Sequence, residues 1–214
     1  MNMKILCYGD SNTWGYVPNI NGYSKNATMH QYKEKDCWWY DLKKKNELLI
    51  NGVCGRCIAH ENRWLKNRNA TETIDNELCQ YENLDLIIVQ LGTNDCKSEY
   101  NDSALQISKN LEILLNKINR ITNAQIMLIS PSIINENNKI TQKYYIGAQK
   151  KSAELDKYYE QIAHNNGYIF ISGIDLEVGE DGEHLTLAGH QQLKNKINSK
   201  INYIQNLTEI EKQG

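Results

Sequence analysis

The sequence predicts an α/β fold in which five parallel strands are covered by helices on both faces, a three-layer α/β/α sandwich. Three observations carry that prediction. Short apolar runs alternate with segments of helical period along the whole chain, as βαβ units require. One run, Leu84 to Leu91, is almost continuously apolar and β-branched, the composition of a strand buried on both faces. Several runs stop at glycine-punctuated turns, and the strand ends of a parallel sheet open on one common edge.

The first strand is expected from Lys4 to Tyr8, after which Asp10 or Ser11 caps a short helical turn through Trp14. Asn19 to Lys35 is polar and aperiodic, so it reads as a long surface loop. Asp36 opens a helix to about Lys45 whose apolar face holds Trp38, Trp39 and Leu42. Glu47 to Val53 is the second strand. A helix follows from Ala70 to Tyr81, started at Thr71 or Thr73, with Ile74 and Leu78 four apart. Leu84 to Leu91 is the third strand and stops at Gly92-Thr93-Asn94-Asp95. Asp102 or Ser103 opens a long helix carrying Leu105, Leu111, Leu114, Leu115 and Ile118. Ala124 to Ser130 is the fourth strand, halted before Pro131. A polar loop with Asn135 and Asn138 leads to a Tyr-rich helix from Gln149 to His164, closed at Asn166-Gly167 by a left-handed cap. Tyr168 to Ile171 is the fifth strand. The last helix runs from Leu187 to about Gln205, and the polar tail from Thr208 is expected to fray.

With 214 residues and neither repeat nor linker, a single domain over 1–214 is expected. The 24 basic and 26 acidic residues are scattered and leave a formal charge of −2, so no basic field favours nucleic acid. Met1-Asn2-Met3-Lys4 enters the apolar run at once, which leaves no room for a signal peptide, and no apolar run approaches membrane-spanning length. The six cysteines are accordingly expected to be reduced thiols in a cytoplasmic protein. One Phe, two Pro and abundant Asn, Lys and Ile reflect genomic base composition.

The chemistry gathers at the glycine-punctuated segments. Ser11 follows the first strand, Gly55 and Arg56 the second, Asn94 and Asp95 the third, and Asp181-Gly182-Glu183-His184 comes late. Together they supply a nucleophile in Ser11, a base in His184 and, in Asp181, a carboxylate that fixes the imidazole tautomer. The backbone N–H groups of Ser11 and Gly55 and the side-chain amide of Asn94 are candidate donors to a developing oxyanion. Gly55 suits a close approach of backbone to substrate.

These four segments resemble the SGNH superfamily of GDSL-type esterases and lipases. Ser11, Gly55, Asn94 and His184 match its four signature residues, and Asp181 matches its triad aspartate. The segments Gly-Asp-Ser-Asn-Thr-Trp-Gly, Asn-Gly-Val-Cys-Gly-Arg, Leu-Gly-Thr-Asn-Asp-Cys-Lys and Asp-Gly-Glu-His-Leu are most similar to the arylesterase and acyltransferase-like branch. The resemblance implies a flavodoxin-like sandwich without a cofactor and hydrolysis of short acyl esters. Two departures stand out: Asn12 replaces the leucine of the eponymous motif, and Cys54 and Cys57 flank the second block.

Taken singly, each residue has a plainer reading. Ser11 is a helix cap, Asp181 a turn residue, His184 a surface residue at a helix start, and Asn94 an Asx-turn. Asp10 and Asp95 are expected to brace their own loops, Asn12 and Thr13 to support the nucleophile turn, and Arg56 to be either a salt-bridge partner or a substrate contact. Trp14, Trp38, Trp39 and Trp64 are expected in the core or a lid, with Trp14 and Trp64 nearest the motifs. His30, His60, His164 and His190 show no partner pattern and are expected to be exposed or capping. Cys54-Gly55-Arg56-Cys57 has metal and redox spacing, but Cys79 and Cys96 are isolated, so no metal is expected, although oxidation of the pair could switch the oxyanion loop.

The expected activity is therefore a serine esterase acting on a small acyl ester, a carbohydrate or aryl acetate being the leading substrate. Transfer of the acyl group to an alcohol or sugar hydroxyl is the nearest alternative. A catalytically silent module whose Ser11-Asn12-Thr13 loop cradles phosphate or a nucleotide is the alternative from another class. Homo-oligomerisation is left open.

Overall fold

A computed structural model describes residues 2–19, 29–63, 65–138 and 141–211, with side chains described as far as 202. Five strands form one parallel sheet: β1 (Lys4–Gly9), β2 (Glu47–Gly52), β3 (Leu86–Gln90), β4 (Gln125–Ile129) and β5 (Ile169–Ile171), in the order β2-β1-β3-β4-β5. Their registers end in one row, with Gly9 opposite Gly52 and Gln90, Gln90 opposite Ile129, and Ile129 opposite Ile171. Ser11 lies two residues past that row and Asn94 four, so the carboxyl edge collects both.

Alternate residues of each strand point to opposite faces, and two cores result. Leu6, Tyr8, Ile87, Val89, Ile126 and Leu128 pack under α3 (Ala70–Leu78), α4 (Ala104–Ile121) and α6 (Ala148–Asn166). Ile5, Cys7, Leu86, Ile88, Met127 and Ile129 face α2 (Tyr40–Lys43) and α7 (Leu187–Glu211), where Leu42, Leu193 and Ile197 complete the packing. Two further short helices are α1 (Ser11–Trp14) and α5 (Thr141–Tyr144).

The element boundaries depart from expectation where side chains compete with the helix. The helix expected from Asp36 to Lys45 is a 3-10 turn at Glu34–Asp36 and the single turn α2. Between them Trp38 N–H donates to His190 Nδ1, and the indole N–H groups of Trp38 and Trp39 reach the Asn12 and Thr13 carbonyls at 3.2 and 2.9 Å. Thr71 and Thr73 do not cap α3; their hydroxyls donate to the Ile58 and Asn69 carbonyls, and Asn69 is the cap position. Ser103 caps α4 by accepting from Gln106 N–H, and Gly167 closes α6 in the left-handed region. The tail expected to fray from Thr208 continues α7 to Glu211, because no Gly or Pro intervenes. Most of the loop expected from Asn19 to Lys35, and Trp64, lie outside the described residues.

His190 is a correction: it is fully buried in the second core and accepts the Trp38 amide, and burial pushes its imidazole down to about 4. His60 also has partners, since its Nε2 lies 2.7 Å from Asp102 and its ring stacks on Tyr100. Trp38 and Trp39 are core residues, as expected. Among the described residues no helix is long and apolar enough to cross a membrane.

Candidate active site

Strand β1 ends at Gly9, and Asp10 begins the turn by accepting Asn12 N–H on its carboxylate at 2.9 Å. That bond starts the one-turn helix α1 with Ser11 as its first residue. The Ser11 hydroxyl lies 2.8 Å from His184 Nε2, across 173 residues of chain. On the other side of the ring, His184 Nδ1 lies 2.8 Å from Asp181 Oδ2. All three residues are buried.

The short Asp181–His184 spacing works because Gly182 has φ +83°, and a Cβ there would come within 2.3 Å of the Asn135 carbonyl oxygen. Asp181 Oδ1 accepts the His184 backbone N–H at 3.1 Å, and Asn135 N–H donates to the Gly182 carbonyl at 2.8 Å. The turn is thereby fixed from inside and outside. Burial alone would raise the Asp181 carboxyl, but the hydrogen bond and charge of His184 win and hold it below its ordinary value. Burial opposes the imidazolium of His184, yet the neighbouring carboxyls of Glu183 and Asp181 raise it. Tyr16 stacks on the imidazole with 4.2 Å between centroids, fixing the ring plane.

Asn12, expected only to support its own turn, spans the two segments instead. Its Oδ1 accepts Leu185 N–H at 2.9 Å, and its Nδ2 donates to the Glu183 carbonyl at 3.2 Å. Thr13 donates its hydroxyl to Gln90 Oε1. The Asn12 and Thr13 side chains are bonded internally, the Ser11 hydroxyl is on His184, and Asp10 holds the Asn12 N–H on its carboxylate, so these groups are engaged within the protein and not turned to a phosphate.

Gly55 has φ +80°, and a Cβ on it would come within 2.8 Å of Asn62 Nδ2, so the loop itself demands glycine there. Among the described residues no hydrogen bond occupies the backbone N–H of Ser11 or of Gly55. Asn94 is buried; its Nδ2 donates to the Arg56 carbonyl at 3.1 Å and its Oδ1 accepts Lys97 Nζ at 2.9 Å. This carboxamide therefore ties the third segment to the second. Asp95 does the same, since both its oxygens accept Ile58 N–H at 2.9 and 3.0 Å, a brace for the Gly55 loop where one for its own loop was expected. Arg56 is a salt-bridge partner, buried against Glu77.

Sequence reasoning does not single out Glu183, Lys97, Tyr16 or Tyr145. Glu183 is buried beside His184 and hydrogen-bonds the Tyr145 hydroxyl, and burial pushes its carboxyl up to about 7. Lys97 and Glu183 both sit inside the quoted motifs, so position was visible although role was not; Tyr16 and Tyr145 carry no local signal. The six cysteines are free thiols, and burial raises both Cys54 and Cys57, which makes them poor nucleophiles. Among the described residues no group of His, Cys, Asp and Glu could hold a metal ion.

A hydroxyl, an imidazole and a carboxylate in hydrogen-bonded series at the carboxyl edge of a parallel sheet is the layout of an α/β serine hydrolase. The GDSL-like lipase/acylhydrolase family model matches residues 7–192, and the chain belongs to that family of carboxylic ester hydrolases. Solved structures share the fold. The native aryl esterase of M. smegmatis is 23% identical with a TM-score of 0.84, over 94% of this chain and 99% of that one. A carbohydrate acetylesterase from Sinorhizobium meliloti is 22% identical with a TM-score of 0.84, over 95% and 100%. A carbohydrate acetylesterase family member from Sinorhizobium meliloti is 25% identical with a TM-score of 0.83, over 95% and 98%. No curated protein matches the sequence.

Proposed function

We propose that the protein hydrolyses short-chain acyl esters, acetyl esters first among them, through Ser11, His184 and Asp181. His184 Nε2 takes the Ser11 proton as Oγ attacks the ester carbonyl, and Asp181 holds the opposite ring nitrogen and supports the imidazolium. The Ser11 and Gly55 backbone N–H groups and the Asn94 carboxamide receive the developing oxyanion. His184 returns the proton to the leaving alcohol, and water, activated by the same imidazole, releases the acyl group from Ser11. Nothing in this sequence of steps draws on a cofactor or a metal.

The observation that carries the proposal is the pair of 2.8 Å hydrogen bonds from Ser11 to His184 and from His184 to Asp181. A carbohydrate or aryl acetate is the proposed substrate class, in keeping with the aryl esterase and carbohydrate acetylesterase among the similar structures. One domain spanning the chain, in the cytoplasm, completes the picture. Hydrolysis of p-nitrophenyl acetate by the wild type and by Ser11→Ala tests it: Ser11→Ala is expected to lose about 10³-fold or more in kcat. Equal rates would overturn the assignment of Ser11.

A further inference from the structure

An asparagine that serves an oxyanion must present its NH2 and not its carbonyl oxygen. The two ends of a carboxamide are nearly isosteric, and a half-turn would replace a stabilising donor with a repelling acceptor. At Asn94 the two ends are told apart. Lys97 follows three residues later, just after the 3-10 turn Asn94–Cys96, and its Nζ stands 2.9 Å from Asn94 Oδ1. An ammonium has donors only, so the amide oxygen must face it. At the other end Nδ2 donates to the Arg56 carbonyl at 3.1 Å, which uses one N–H and leaves the second.

The lysine is itself held in place. Its ammonium lies 5.9 Å from the centroid of the Tyr145 ring, and the Tyr145 hydroxyl hydrogen-bonds the Glu183 carboxyl beside His184. A charge-assisted hydrogen bond on the amide oxygen also withdraws electron density from the carboxamide and strengthens its N–H groups as donors.

We propose that Lys97 is a positioning residue for oxyanion stabilisation: its ammonium orients and polarises the Asn94 carboxamide so that the NH2 faces the substrate oxygen. The proposal rests on Ser11, Gly55 and Asn94 forming the acyl-transfer centre, and its test separates the two. Lys97→Met, Lys97→Arg, Asn94→Ala and the Lys97→Met/Asn94→Ala double variant are compared with the wild type on p-nitrophenyl acetate, with folding followed by circular dichroism. Lys97→Met is expected to lower kcat about 10- to 100-fold with KM within about twofold, because the lost interaction acts in the transition state. Lys97→Arg keeps the charge and the donors and is expected to recover most of the loss. In the Asn94→Ala background, Lys97→Met is expected to cost less than about twofold more, since it acts through that amide.

A folded Lys97→Met with wild-type kcat, or losses that multiply in the double variant, would overturn the proposal. If Lys97→Met fails to fold, Lys97→Gln takes its place: it keeps an N–H donor without the charge and is expected to lose several-fold in kcat, and an unchanged kcat would overturn the role of the charge. A fluorophosphonate, whose phosphoryl oxygen needs the same donors, tests the underlying site separately. Wild type that resists labelling at Ser11 would refute the acyl-transfer centre, whereas equal labelling rates in wild type and Lys97→Met would refute Lys97 alone.

Discussion

The two terminal nitrogens of the Arg56 guanidinium donate to the protein, while its Nε is buried without a hydrogen-bond partner among the described residues. Nη1 donates to the Gly9 carbonyl at 3.0 Å and the Asn51 carbonyl at 2.7 Å, while Nη2 reaches Asn51 Oδ1 and Glu77 Oε2, both at 2.9 Å. Its carbon centre sits 4.1 Å over the Tyr8 ring. It therefore knits the ends of β1 and β2 together, two residues before Ser11 on the first strand. A lysine keeps the charge but lacks the planar fork and would leave several of these acceptors unpaired. Arg56→Lys is expected to destabilise the protein by about 3 kcal/mol, the scale for disrupting a buried, hydrogen-bonded charge pair. Urea unfolding measures the loss, and KM for p-nitrophenyl acetate provides the contrast. A several-fold rise in KM at unchanged stability would mean that Arg56 meets the substrate instead.

At the scale of elements, the site is a set of loops tied across the end of the sheet, and Asn12 makes a two-bond tie between the Ser11 turn and the His184 segment. Its carboxamide satisfies a carbonyl and an amide on the segment that carries His184, while Trp38 and Trp39 hold the same helical turn from beneath. Leucine, the residue of the family's eponymous motif, cannot make either bond. Asn12→Leu would bury an unpaired Glu183 carbonyl and Leu185 N–H, at about 1–3 kcal/mol each before relaxation. The expected result is a lower urea midpoint together with a fall in kcat of about tenfold or more, since a misplacement of His184 by as little as about 1 Å is felt strongly in catalysis. Wild-type kcat in a folded Asn12→Leu variant would show that Asp181 and Gly182 fix the histidine unaided. Such ties explain what the sequence could and could not reveal. The five strands and long helices were legible because their periods and glycine stops are local. The break in the helix expected at Asp36–Lys45 was not, because its cause is a pair of indoles bonded to carbonyls on the nucleophile turn. Ser11, Gly55, Asn94, Asp181 and His184 stood out through motif order, whereas Lys97, Tyr145 and Glu183 act through contacts that no spacing encodes.

Over the whole molecule, gathering four segments at one sheet edge also gathers their charges in a dry place. Glu183 is pushed up to about 7, and Asp10 and Asp95 to about 6, by burial first of all. Each of these carboxyls is raised above its value in the unfolded chain, so the native state holds protons that the unfolded state has released, and stability falls as pH rises. For the two aspartates the loss runs from about pH 4 to pH 6, and for Glu183 from about pH 4.5 to pH 7, beyond which it is complete. His184, also raised, adds loss in the same direction as pH passes through its folded value, while Asp181, lowered, withdraws its contribution only as pH falls below about 4. The protein is therefore expected to be most stable in mild acid, with a urea midpoint that declines from pH 5 to pH 8. Glu183→Gln isolates the most strongly raised of these three carboxyls: it removes the ionisation and keeps an acceptor for the Tyr145 hydroxyl. Its advantage over wild type is expected to be small near pH 5 and to grow to about 3 kcal/mol at pH 8, the rise from 4.5 to about 7 converted at roughly 1.36 kcal/mol per pH unit. Parallel stability profiles of wild type and Glu183→Gln across that range would mean that Glu183 ionises in the folded protein as it does in the unfolded chain.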